Sequence, residues 1–93
     1  MDQELKFPLG QVMITPGAQA ALEDQGFLGL EILGRHHRGD WGTMCEEDCE
    51  ANEAALHYGS RLMSSYKTET GVVIWVITEA DRSVTTLLLP DEY

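Results

Sequence analysis

The sequence predicts an α+β domain in which three helices pack against one face of an antiparallel β-sheet. Helix-type spacing of apolar residues, with recognisable end signals, runs through residues 15–59. Strand-type runs separated by short polar turns follow within residues 61–90, and one further short apolar run, 9–15, precedes the helices. The order β-α-α-α-β-β-β is typical of one helical layer on one sheet, and we expect residues 1–93 to form a single domain.

The first two helices have clear end signals. The first is predicted over residues 15–26, with Thr15 as the N-cap, a proline at the next position and Gly26 as the terminating glycine. The second is predicted over residues 27–37 and is followed by a loop, 38–42, that contains two glycines. The side chains expected to face the core are Ala18, Ala21, Leu22, Leu28, Ile32 and Leu33.

The third helix is predicted over residues 43–59. Thr43 and Glu46 have the spacing of a capping box, in which each side chain bonds the other residue's backbone N–H. Acidic residues fill the first turn, where the helix dipole favours negative charge, and His57 lies in the last turn. Gly59 is expected to end the helix.

Three strands are predicted in the remaining chain, over residues 61–68, 71–80 and 83–90. The turns between them are "TETG" and "EADR", so the strands are expected to form an antiparallel meander. The central strand is apolar on both faces, and its periodicity leaves two alternatives open for the side that faces the helices. That side carries either Val73, Trp75 and Ile77, or Ile74 and Val76.

The charge balance excludes one class of partner. Sixteen acidic residues stand against six basic ones, which gives a formal net charge of −10. Proteins that bind nucleic acid derive much of their affinity from lysine and arginine on phosphates, so we expect no direct binding to DNA, RNA or anionic membranes. The expected partner is a basic protein surface, such as that of a protein that itself binds nucleic acid. The sequence does not predict the oligomeric state.

The expected location is the cytoplasm. The N-terminal residues lack the pattern of a signal peptide, and no apolar run reaches the length that crosses a membrane. Cys45 and Cys49 are four residues apart on one predicted helix, which separates their Cβ atoms by about 5–6 Å. A disulfide requires about 3.5–4.5 Å, so two free thiols are expected.

The densest acidic cluster lies on the third helix. Its members are Glu46, Glu47, Asp48, Glu50 and Glu53. On a helix that rises 1.5 Å per residue they span about 10 Å, which approaches the linear charge density of duplex DNA. They therefore indicate a surface that binds a basic partner by imitating DNA. The alternative is a helix whose acidic residues serve only its dipole and its solubility.

The segment "RHHRGDWG", residues 35–42, combines structural and polar residues. We expect Asp40 to bond nearby backbone N–H groups and Trp41 to pack on the sheet or on the third helix. His36 and His37 are expected at the surface with the flanking arginines, where they neutralise local acids and contribute little to stability. An alternative places His36 at a binding cleft.

A small enzyme is the alternative function. His36 or His37 would act as a base, with the carboxylates of Glu79 and Asp81 and the guanidinium of Arg82 as partners. Neither a nucleophile elbow nor a phosphate-binding glycine loop supports this alternative. The cysteines and histidines also lack the spacing of a zinc site, so no metal site is predicted. With no catalytic or phosphate-binding motif present, no cofactor and no catalytic residue is predicted either.

Several phrases of the sequence resemble one family. They are "FPLGQV", "TPGA", "GDWG", "NEAAL", "RLMSSY" and "IWVITEADRSVTTLLLPDEY", which together cover most of the chain. The resemblance is to small bacterial proteins of plasmids and integrated conjugative elements, known as plasmid-related proteins. It implies an origin in a mobile genetic element and supplies no chemistry. The small size, the acidity and the mobile-element origin together invite an analogy with anti-CRISPR and antirestriction proteins, from which we expect an inhibitor of a host defence nuclease or of a nucleic-acid-guided complex.

Overall fold

The computed structural model describes residues 4–93 as three helices and one four-stranded sheet. In chain order the elements are β1 (Gln11–Ile14), α1 (Pro16–Leu22), α2 (Leu28–His37), α3 (Glu46–Tyr58), β2 (Leu62–Lys67), β3 (Val73–Thr78) and β4 (Val84–Leu88), followed by a short 3-10 turn, Pro90–Glu92. The predicted α+β class and the order β-α-α-α-β-β-β are confirmed. Within the described residues, every helix is too short or too polar to cross a lipid bilayer.

The sheet is mixed, so the prediction of a purely antiparallel sheet is wrong. Its strand order is β1-β4-β3-β2; the last three strands in sequence form the predicted meander, whereas β1 runs parallel to β4. The start of β1 lies beside the start of β4. Gly10 has a left-handed backbone (φ 68°), and a Cβ at this position would overlap the carbonyl oxygen of Ser83. The N–H of Gln11 donates to that carbonyl over 2.8 Å, which aligns the start of β1 with the start of β4.

Helix α1 has the predicted start but ends earlier than predicted. The hydroxyl of Thr15 accepts a hydrogen bond from the N–H of Ala18 over 3.2 Å, as expected for an N-cap. The helix ends at Leu22, and Gly26 lies in the turn that leads to α2, with a left-handed φ of 62°. The prediction that Gly26 terminates α1 therefore made the helix too long and the following turn too short.

Helix α3 begins later than predicted, at Glu46, so the predicted capping box of Thr43 and Glu46 does not form. Thr43 instead lies beside β2, where its hydroxyl donates to the carbonyl of Ser65 over 3.2 Å. Cys45 is the N-cap residue, and its side chain makes no cap hydrogen bond. Gly59 ends the helix in a left-handed conformation, as predicted.

The core lies between the helices and one face of the sheet. Strand register places one set of alternate side chains on this inner face. The main cluster of buried side chains is Ala18, Leu22, Ile32, Tyr66, Ile74, Val76 and Leu87, with Ala21, Leu28 and Leu33 packed against it. A second cluster joins α3 to the start of β2 and contains Phe7, Trp41, Ala55 and Leu62. The core residues predicted for α1 and α2 are confirmed.

The structure decides between the two alternatives for the central strand. Ile74 and Val76 are fully buried against the helices. Trp75 is half-buried on the outer face, where its ring meets that of Tyr93 edge to face at 5.9 Å. The aromatic side chain thus belongs to the face of the sheet that lacks helices.

The outer edge of β2 is covered by the chain itself. The side chain of Asn52 on α3 donates to the carbonyl of Met63 (2.7 Å) and accepts from its N–H (3.1 Å). Next along the strand, the N–H of Ser65 donates to the carbonyl of Trp41, and its carbonyl accepts from the N–H of Thr43. These bonds satisfy the edge groups that would otherwise attract another strand.

Candidate functional site

His36 is fully buried, which contradicts the expectation of a surface histidine. Its Nδ1 atom lies 2.5 Å from the hydroxyl of Ser64 on β2, and its Nε2 atom lies 2.9 Å from the hydroxyl of Thr78 on β3. The sequence contains the signal for this position. His36 follows Ile32 by one helical turn and therefore continues the buried stripe of α2.

The hydrogen-bond chain around His36 determines which ring nitrogen carries the proton. The hydroxyl of Thr85 donates to the carbonyl of Leu9 over 2.7 Å, so its oxygen accepts from Thr78, also at 2.7 Å. Thr78 then has no further proton and accepts from Nε2 of His36. Nδ1 is left as the acceptor for the hydroxyl of Ser64. Burial lowers the pKa of His36 to about 3, so this ring is neutral.

Asp40 holds the loop after α2, as predicted. Its carboxylate accepts from Arg35 at 2.8 Å and from the N–H of Gly42 at 3.2 Å. The hydrogen bond from Arg35 holds the pKa of Asp40 below its ordinary value. The hydroxyl of Tyr66 donates to the carbonyl of Asp40 over 2.6 Å, and the guanidinium of Arg35 lies over the Tyr66 ring. This group is a structural clip between α2 and the sheet.

Trp41 is buried beside α3, which is one of the two positions predicted for it, the sheet or the third helix. Its indole N–H donates to the carboxylate of Glu53 on α3 over 3.0 Å. Its ring stacks on Phe7 and meets the imidazole of His36 edge to face. One member of the predicted acidic surface, Glu53, is therefore engaged with the core.

The other residues of the enzyme alternative have structural contacts of their own. Arg82 has a left-handed backbone (φ 61°), and its guanidinium donates to the carbonyls of Ser60 (2.6 Å) and Ala55 (3.1 Å). It therefore fixes the β3–β4 turn to the end of α3. Asp81 accepts from the N–H and the hydroxyl of Ser83 within the same turn.

Glu79 belongs to this turn through its backbone carbonyl, which accepts from the N–H of Arg82 over 2.9 Å, but its carboxylate and the ring of His37 make other contacts. Glu79 pairs with Arg61 at 3.4 Å, and Arg61 also donates to the hydroxyl of Tyr93. His37 is half-buried and meets the ring of Phe7 at 5.7 Å. The residues of the enzyme alternative thus lie in three separate places. His36 is in the buried hydrogen-bond chain, Asp81 and Arg82 are in the β3–β4 turn, and the carboxylate of Glu79 is in an ion pair at the surface.

The remaining acidic residues of α3 are free of such contacts. Glu46, Glu47, Asp48 and Glu50 are exposed, and within residues 4–93 their carboxylates accept no hydrogen bond and form no ion pair. Glu46 and Glu50 lie on the side of α3 opposite to the buried residues Asn52 and Ala55, whereas Asp48 precedes Asn52 by one helical turn and is exposed in the first turn. We call these four carboxylates the acidic face of α3.

An apolar groove between β1 and α2 is a feature that the sequence analysis missed. It has a volume of about 430 Å³ and is open to solvent. Its apolar lining comes from Val12, Ile14, Leu22, Phe27, Leu30 and Leu33. Phe27 and Leu30 are 82% and 69% exposed, respectively. Their positions outside the buried stripe of α2 were the signal for an apolar surface.

A second, polar pocket adjoins this groove and shares Phe27 with it. Its lining includes three carboxylates, from Asp24, Glu31 and Glu69. Within residues 4–93 no lysine or arginine lines either the groove or the pocket. An apolar and an acidic surface therefore meet at one exposed aromatic ring.

The described residues show no group of histidine, cysteine, aspartate and glutamate side chains suited to hold a metal ion. Cys45 and Cys49 are free thiols, in agreement with prediction. No family model, curated protein or solved structure matches this chain.

Proposed function

We propose that this protein is a non-enzymatic interaction protein that presents the acidic face of α3 to a basic surface of a partner protein. The observation that carries the proposal is that Glu46, Glu47, Asp48 and Glu50 are exposed and unpaired within the described chain. Exposed carboxylates without internal partners keep their full charge available for a partner. They stand in the first turns of a helix that is held in place by its buried residues Asn52 and Ala55.

The contacts of the polar residues favour this proposal over the enzyme alternative. A general base must reach a substrate proton, whereas His36 is sealed in the core and its nitrogens both have partners. The guanidinium of Arg82 is directed at backbone carbonyls of its own chain. His36 is therefore out of reach of a substrate, and the guanidinium of Arg82 is engaged by its own chain.

The class of partner follows from charge. Four carboxylates within five residues of helix approach the charge density of duplex DNA, so the complementary surface is one that binds nucleic acid. We propose a defence nuclease, or a nucleic-acid-guided complex, of the bacterial host as that partner. The analogy with anti-CRISPR and antirestriction proteins, which rests on size, acidity and the expected mobile-element origin, favours this choice. The cytoplasm is the proposed setting, and the free thiols of Cys45 and Cys49 are consistent with it.

Affinity purification from a bacterial host extract with quantitative mass spectrometry tests the proposal. The wild-type protein is compared with the variant Glu47→Lys/Glu50→Lys and with the matched control Glu4→Lys/Asp91→Lys, which changes net charge equally. Nucleic-acid-binding proteins should be recovered by the wild type and by the control, and lost with the α3 variant. Their recovery should also fall between about 50 and 150 mM salt. Equal recovery by all three proteins would exclude the acidic face as the binding surface.

A further inference from the structure

Strand β1 has an open outer edge. It pairs with β4 on one side, and within residues 4–93 no element pairs with its other side. The N–H groups of Gln11 and Thr15 donate to β4, so the backbone groups of Val12 and Ile14 are directed to the open edge. The opposite edge of the sheet, on β2, is covered by Asn52 and by residues 41–43. The described part of the chain thus protects one edge and leaves the other available for pairing.

The apolar groove runs beside this open edge. Register places the side chains of Val12 and Ile14 on the inner face of the sheet, where both line the groove, whereas Met13 lies on the outer face. Across the groove are Leu30 and Leu33 of α2. A strand that pairs with β1 would direct every second side chain towards the inner face, and so into this groove.

The charge around the groove indicates the composition of that strand. Glu23 lines the groove itself, and the adjoining pocket carries Asp24, Glu31 and Glu69. Lysine or arginine beside the apolar residues of an incoming segment would complement these carboxylates. The exposed ring of Phe27, which both cavities share, can contact an apolar side chain and the stem of a basic one.

We propose that β1 binds an extended segment of a partner protein as an added strand. The segment alternates apolar residues, which fill the groove, with residues that face away, and it carries lysine or arginine at its end near the acidic pocket. A second copy of this chain does not fit the same charge pattern, because each copy carries −10 and would bring its own carboxylates to the interface. This surface is distinct from the acidic face of α3, and the inference goes beyond the proposed function.

A synthetic peptide tests the inference. The probe is a peptide of alternating valine and threonine with two lysines at each end, titrated into the full chain and followed by amide chemical shifts. We expect shifts at Val12, Met13 and Ile14 and around Phe27. A peptide with the same core and glutamate ends should bind at least about tenfold more weakly. A peptide N-methylated at alternate amides, on the edge that would pair with β1, should also bind more weakly.

Variants separate the groove from the rest of the surface. Ile14→Lys and Leu30→Lys should weaken binding by at least about tenfold. Met13→Lys is the matched control, because Met13 and Ile14 are 46% and 43% exposed but point to opposite faces. The control should bind as the wild type does. Circular dichroism verifies that each variant is folded.

Two outcomes would overturn the inference. One is the absence of peptide binding, or equal binding by Ile14→Lys, Leu30→Lys and the control. The other is a concentration-dependent dimer, found by sedimentation, that Ile14→Lys dissociates, because the occupant would then be a second copy. The variant Glu47→Lys/Glu50→Lys should bind the peptide normally, so failure here is distinguishable from failure of the proposed function.

Discussion

The Nε2 atom of His36 lies 2.9 Å from the hydroxyl oxygen of Thr78, and both side chains are fully buried. This contact joins α2 to the centre of the sheet through a chain of polar groups that continues to Thr85 and to the carbonyl of Leu9. Every member has a partner, so the chain avoids the free-energy loss that an unpaired buried polar group causes. It also restricts how α2 can sit on the sheet.

Replacement of His36 by alanine is expected to destabilise the protein by about 3–5 kcal/mol, because it opens a cavity and leaves Ser64 and Thr78 without their shared partner. The matched control is His37→Ala, whose half-buried ring should contribute less than about 1 kcal/mol. Urea unfolding measures both free energies. Equal losses would show that the two histidines have similar environments, contrary to the structure.

The free energy of unfolding should depend on pH because His36 is neutral in the folded protein. In the unfolded chain its pKa has the ordinary value of 6.5, whereas burial lowers it to about 3 in the folded protein. Between these values the unfolded state binds one more proton at this ring, so stability is complete above pH 6.5 and falls as the pH falls towards 3. The expected slope is about 1.4 kcal/mol per pH unit well below pH 6.5.

Comparison with His36→Gln isolates this contribution from that of the carboxylates, which titrate in the same range. Between pH 6 and 4 the free energy of unfolding should fall more steeply with decreasing pH for the wild type than for His36→Gln. The difference in slope should correspond to about one additional proton bound on unfolding. Nitrogen-15 chemical shifts should in addition show the proton on Nε2. Identical slopes for the two proteins, or a proton on Nδ1, would contradict the hydrogen-bond chain.

Adjacent residues of β3 should differ in their contribution to stability because they face opposite sides of the sheet. Ile74→Ala removes a fully buried side chain and should cost about 2–5 kcal/mol. Trp75→Ala removes a half-buried ring that packs against Tyr93, and about 1–2 kcal/mol is expected. Thermal and urea unfolding of both variants provide the comparison. A larger loss for Trp75→Ala would place the ring in the main core.

Local signals account for the parts of the fold that were predicted. The N-cap at Thr15, the terminating glycine at Gly59 and the alternation of the C-terminal strands each depend on residues close together in sequence. The cap and the glycine act through the local backbone conformation. The apolar periodicity of an element indicates which of its sides is buried. The acidic cluster of α3 could also be recognised from the sequence, because its members are close together in the chain.

Contacts between distant residues account for what was missed. Thr43 was expected to cap α3, but it lies against β2, where its hydroxyl and its N–H both donate to the carbonyl of Ser65. Burial of His36 depends on hydroxyls that β2 and β3 supply, and the groove exists only where β1 meets α2. None of these partners is a neighbour in sequence, so composition and spacing carry no direct record of them.

By itself the sequence determined the fold class, the element order, the acidic charge and the stripes of apolar residues that α1 and α2 bury. Only the tertiary structure decided that β1 runs parallel to β4, that His36 is a neutral core residue and that, among the residues described, none pairs with the sheet edge beside the apolar groove. The physical reason is that strand direction, desolvation and edge pairing depend on groups that folding brings together from distant positions. Local periodicity reports which side of an element is buried, but not the groups that it meets there.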